Sequence, residues 1–161
     1  MANVDALIKA WDLAIWEYSL VFEELADEDV WRRAHPRLLS IGELTGHVAY
    51  WEPNEPSPDG VSAVSIQSVL NNPAFRYYET QVENPFSLDV SAADLIAELK
   101  RIHEEAKTAV TKRGLNGDDL LVEGGNVTYG QYLQYRGFHA AYHAGQAYSV
   151  RHIFGHKTTG N

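Results

Sequence analysis

Seven histidines stand in a chain of 161 residues that has no cysteine, so imidazole nitrogen is the strongest metal donor the sequence can offer. His139 and His143 are four residues apart in a stretch of helical periodicity. At about 100° per residue the second lies one turn above the first on the same face, where both can hold one ion. Tyr132, Tyr135, Tyr142, Gln146 and Val150 fall on that side too, so the pair is expected to face the interior. Desolvated imidazoles must each find a partner or bind something. His47 lies beside Leu44, Val48 and Trp51 on the apolar stripe of an earlier segment and can supply a third nitrogen. Three neutral nitrogens with one open position is the arrangement of a catalytic zinc or a similar borderline divalent ion. Separately hydrogen-bonded core histidines are the competing reading.

Other residues have weaker signals. Gln146 follows His143 by three and can orient a ligand imidazole, or bond between helices. Arg136, three before His139, leans to the same side and can receive an anionic group of a cofactor or substrate, a structural ion pair being the alternative. Tyr132, Tyr135 and Tyr142 can donate a proton near the metal or simply pack the core, and Trp51 is packing first and pocket wall second. His103 falls on the flank of its helix and is expected to be partly exposed. His35 precedes Pro36 in a loop, and Gly155 separates His152 from His156 at a chain end, so these three are read as surface residues. Spacing places no Asp or Glu beside the histidines, which leaves a hydrolytic mechanism without a general base.

Four long helices are needed to bring these side chains together. Val4, Leu7, Ile8, Trp11, Ile15, Tyr18, Phe22 and Leu25 recur at threes and fours and predict the first. Ser40 and Glu43 have the spacing of a reciprocal capping box, so a second runs from about Ile41 to Glu52 and stops at Pro53. Pro53 to Val90 holds five of the six prolines and reads as a connection with two short helices, one starting at Asn72-Pro73, that helps cover the pocket. A third helix follows Ser91, with Leu95, Ile96, Leu99, Ile102, Ala106 and Val110 as its stripe and Gly114 as its end. After a glycine-rich stretch, Thr128 and Gln131 repeat the capping box and open a fourth, about Tyr129 to Phe154. The expectation is one all-α domain over residues 1–161, an up-and-down four-helix bundle with a long connection between helices two and three.

Ser-Ile-Gly-Glu-Leu-Thr-Gly-His-Val-Ala-Tyr-Trp-Glu (Ser40 to Glu52) and His-Ala-Ala-Tyr-His-Ala-Gly-Gln (His139 to Gln146) resemble the DinB/YfiT-like superfamily of metal-dependent proteins. The resemblance covers most of the chain in helix order. It implies a four-helix bundle in which His47, His139 and His143 bind a divalent metal such as zinc or nickel, and a homodimer. It also implies an enzyme acting on a small molecule, either a thiol-dependent transferase using bacillithiol, mycothiol or glutathione, or a hydrolase. A trihistidine ion with an open position serves both, by lowering the pKa of bound water or by stabilising a substrate thiolate. Without cysteine in the chain, any reactive thiol must come from a low-molecular-weight cosubstrate. The non-enzymatic alternative is a helical bundle that binds metal structurally or dimerises as an interaction module.

Composition narrows the rest. Thirteen Lys and Arg against 22 Asp and Glu give a formal charge of -9, which repels polyphosphates, so no nucleic-acid partner is expected. Asp5, Lys9, Asp12 and Glu17 interrupt the apolar N-terminal run before it reaches signal or membrane-span length, so a cytoplasmic protein with no membrane partner is expected.

Overall fold

A computed structural model describes residues 3–54, 65–76, 78–122 and 124–157. The described residues form six α-helices and one 3-10 turn: α1 (Val4–Leu20), α2 (Asp27–Val30), α3 (Ile41–Trp51), the 3-10 turn Pro73–Phe75, α4 (Tyr78–Glu83), α5 (Ala92–Thr111) and α6 (Tyr129–Ile153). The all-α expectation holds. Both predicted capping boxes are present, Ser40 with Glu43 on α3 and Thr128 with Gln131 on α6. Asn72 caps the 3-10 turn through Ala74 N–H at 2.9 Å, and Ser91 caps α5.

The first helix is shorter than its periodicity suggests. After Leu20 the chain continues in turns whose N–H groups reach back three residues, as from Phe22 to Ser19 and Glu23 to Leu20, and Glu24 adopts the left-handed φ of 56°. Three-residue turns keep roughly the helical spacing, so Val21, Phe22 and Leu25 stay buried although the α-helix has ended.

One apolar cluster joins residues from all four long helices, including Trp11, Tyr18, Leu44, Val48, Leu99, Ile102, Leu133 and Val150. α1 packs most extensively on α6, and α3 packs on both α5 and α6. Every residue from Ile41 to Ala49 on α3 is buried, so this helix has no solvent face on which its histidine could sit. Two glycines let it lie that deep. A Cβ on Gly42 would meet the Trp31 ring at 2.5 Å, and one on Gly46 would meet the Phe75 ring at 2.5 Å.

The connection after α3 is held back against the bundle by Arg33. Its guanidinium grips Glu43 with two bonds, Nε at 2.8 Å and Nη2 at 2.5 Å, and also donates to the carbonyls of Gln81 and Val82 at the end of α4. Phe86 N–H donates to the same carboxylate at 3.1 Å. The two short helices expected within 53–90 are thus present as the 3-10 turn and α4, while residues 55–64 lie outside the described residues. No described helix is long and apolar enough to cross a membrane.

Candidate metal centre

His47 projects from the middle of α3 and His139 and His143 from successive turns of α6. One nitrogen from each ring lies within 4.8 Å of the others, and the Nε2 atoms of His47 and His139 are 3.3 Å apart. Donors at 2.0–2.1 Å from a tetrahedral ion are separated by about 3.3 Å, so that spacing already suits zinc-like coordination. All three imidazoles are buried.

Hydrogen bonds fix which nitrogen His47 and His143 present. Phe75 carbonyl oxygen can only accept, and it lies 2.8 Å from His47 Nδ1, so Nδ1 carries the proton and Nε2 keeps its lone pair. Gln81 Nε2 donates to the same carbonyl at 3.1 Å and steadies it. Gln146 Oε1 accepts from His143 Nδ1 at 2.7 Å, with the same consequence for His143. Such outer partners set tautomer and ring orientation at metal sites.

Electrostatics keep the rings neutral. Burial, then the nearby His143, His47 and Arg136, push the His139 pKa down to about 2. Burial and the His47 ring bring His143 to about 4, and burial lowers His47 despite its bond to Phe75. Three neutral imidazoles are ready to ligate at neutral pH, since a cation replaces the protons they refuse.

The rings form the floor of an open cavity of about 400 Å³, whose walls are Tyr78, Tyr135, Phe138, Tyr142 and Gln146. Tyr135 and Tyr142 therefore stand at the site as expected, though on its exposed rim, whereas Tyr132 is buried and Trp51 donates its indole N–H to Arg76 O at 3.0 Å. Tyr78, Phe138 and the Phe75 carbonyl were not legible as site groups in the sequence. Tyr78 and Phe75 come from the connection, whose path depends on the tertiary contacts of Arg33 and Gly46.

Arg136, expected to lean toward the site, is not among the residues that line the cavity. It is buried, stacks over the Tyr132 ring at 4.6 Å, and donates to the carbonyls of Trp51 and Asn54 at the C-terminal end of α3. Unsatisfied helix carbonyls and the negative end of the helix dipole attract the guanidinium there, rather than either a ligand or a carboxylate. His103 is also a correction. It is buried, with Nδ1 2.8 Å from Glu52 and Nε2 2.9 Å from Asp12. Burial pulls its pKa down, but the two carboxylates outweigh that and hold it above the ordinary value. Asp12, His103 and Glu104 bring donors together as well, yet Lys107 Nζ lies 2.7 Å from both Asp12 and Glu104 and already supplies the cation. His35 and His152 are exposed, and His156 pairs with Asp29 at 2.7 Å beyond the end of α6.

The chain matches no family model and has no significant match among curated proteins or solved structures.

Proposed function

We propose that this protein is a divalent-metal-dependent enzyme acting on a small molecule, with His47, His139 and His143 holding zinc or nickel and a fourth position open to the pocket. The observation that carries the reading is the convergence of three buried, neutral imidazoles on the floor of an accessible cavity. A structural zinc is normally closed by four protein ligands, whereas three with an accessible fourth position suit exchange with a substrate. The DinB/YfiT-like type of up-and-down four-helix bundle is the architecture proposed to hold it, supported by the mutual packing of α1, α3, α5 and α6.

A divalent ion held there would supply Lewis acidity to an oxygen or sulfur donor entering the open position. The chain's own residues do the positioning. Phe75 carbonyl and Gln146 keep protons on the outward nitrogens of His47 and His143 and aim the lone pairs inward. Among the described residues lining the pocket there is no Asp or Glu to take a proton from water, which favours a low-molecular-weight thiol cosubstrate over hydrolysis. Leu13 and Trp16 leave apolar surface on α1 that suits a second copy, in line with a homodimer.

Cobalt(II) loading tests the open position. The visible absorption bands of the loaded protein should change when azide or a small thiol is added. Bands that ignore both would indicate a closed structural site and overturn the reading.

A further inference from the structure

The wall above the triad has a chemical preference of its own. Tyr135, Phe138 and Tyr142 follow one another along α6 and are 45%, 62% and 54% exposed. Their rings form a row, with centroids 6.4 Å apart between Tyr135 and Phe138 and 6.0 Å between Phe138 and Tyr142, the latter pair inclined by only 27°. Tyr135 also stacks on the His139 ring, at 5.8 Å and 25°. The row therefore runs along α6 beside the ligand rings, from Tyr135 on His139 to Tyr142, which meets His143 edge-on at 5.0 Å, and its exposed rings are available to a guest. Tyr78 of α4 lines the cavity as well.

Charge is as informative as shape. No Lys or Arg is among the described residues lining the pocket. The guanidinium that this stretch of α6 does carry, Arg136, is spent on the carbonyls of Trp51 and Asn54. The whole chain bears a formal charge of -9. A divalent ion would neutralise the one donor atom bound to it, but a second anionic group lying against the wall would have to shed water with no Lys or Arg beside it, in a chain of the same sign.

We infer that the pocket takes an uncharged, flat aromatic small molecule that stacks on Tyr135, Phe138 and Tyr142 and presents a single donor atom to the metal. This rests on the metal-centre reading and narrows its substrate class. Aromatic faces prefer offset stacking at the spacings seen here, and a cavity of about 400 Å³ holds one such molecule.

Two thiols with the same donor and different bodies make the test: phenylmethanethiol, which is aromatic and otherwise neutral, and 6-sulfanylhexanoate, whose carboxylate is too far from the sulfur to close a small chelate ring on the ion. Each is titrated calorimetrically into zinc-loaded protein and into the Phe138→Ala variant, which removes the ring between Tyr135 and Tyr142, with zinc content measured in parallel. The aromatic thiol should bind the parent about tenfold more tightly than the carboxylate thiol or better, and the variant should lose about fivefold of the aromatic thiol's affinity. Zinc content should be unchanged in the variant, and 6-sulfanylhexanoate binding should change by less. Equal or tighter binding of 6-sulfanylhexanoate by the parent overturns the proposed ligand class and leaves the metal centre standing. So does a zinc-retaining variant that binds the aromatic thiol as well as the parent. Parent protein that retains no zinc overturns both the ligand class and the metal centre beneath it.

Discussion

Burial strips water from each of the three clustered imidazoles, and a proton on any of them would face two neighbouring rings with nothing to compensate it. In metal-free protein this has a definite pH signature. The unfolded chain binds protons at histidine below about pH 6.5, while native His143 resists to about 4 and His139 to about 2. The stability these residues contribute is complete above pH 6.5 and is lost as pH falls through that window. His103 has the opposite sign, since its raised pKa contributes most below pH 6.5 and fades as pH rises through the folded value. Melts of metal-free protein across this range should show a falling acid limb, flattened by replacing His139 and His143 with Gln; an unchanged limb would count against the assignment. Gln146→Ala removes the acceptor that fixes the His143 tautomer, so metal affinity should fall 10–100-fold in competition with a chromophoric chelator. His139, His143 and Gln146 were readable because i, i+3 and i, i+4 spacing on one helix fixes relative position locally, and His47 because it shares the apolar stripe of its own helix. Arg136 and His103 were not, because helix spacing does not say whether a carbonyl or a carboxylate from another element will meet a side chain.

At the scale of elements, the site depends on how α3 accepts its neighbours. Gly46, directly before His47, leaves room for the Phe75 ring, and that residue's carbonyl holds the His47 proton. Phe75 is fully buried, so its ring cannot swing into solvent to accommodate a Cβ. Gly46→Ala should therefore destabilise the protein by about 1–3 kcal/mol in denaturant titrations and weaken metal binding as well. A variant with parental stability and affinity would show that the connection yields without moving the carbonyl. Helix starts were legible because Ser40–Glu43 and Thr128–Gln131 satisfy their N–H groups within four residues. The end of α1 was not, since three-residue turns carry nearly the same apolar spacing as an α-helix. The course of α4 was equally hidden, because Arg33 ties it to Glu43 across the fold.

Across the whole molecule, buried charges tie the helices together around the histidine floor of the cavity. Glu52 at the end of α3 accepts from Trp11 of α1 at 3.1 Å and lies 2.8 Å from His103 of α5. Arg136 and Arg151 of α6 reach the carbonyls that end α3 and α1, respectively. Removing one partner from such a network strands the others without water, so Glu52→Ala should cost about 3–5 kcal/mol of unfolding free energy. A loss below about 1 kcal/mol in urea titrations would mean that the network is not a structural tie. All-α class was legible from four periodic segments, whereas this cross-helix wiring joins residues up to 130 positions apart and leaves no local pattern. The central claim is that three of these helix-borne histidines hold a metal. It is tested most directly by elemental analysis of protein made without a polyhistidine tag, beside the His47→Ala, His139→Ala, His143→Ala triple variant. One divalent ion per chain in the parent and none in the variant is the predicted result. A parent that carries no stoichiometric metal even after equilibration in metal-replete buffer would contradict it.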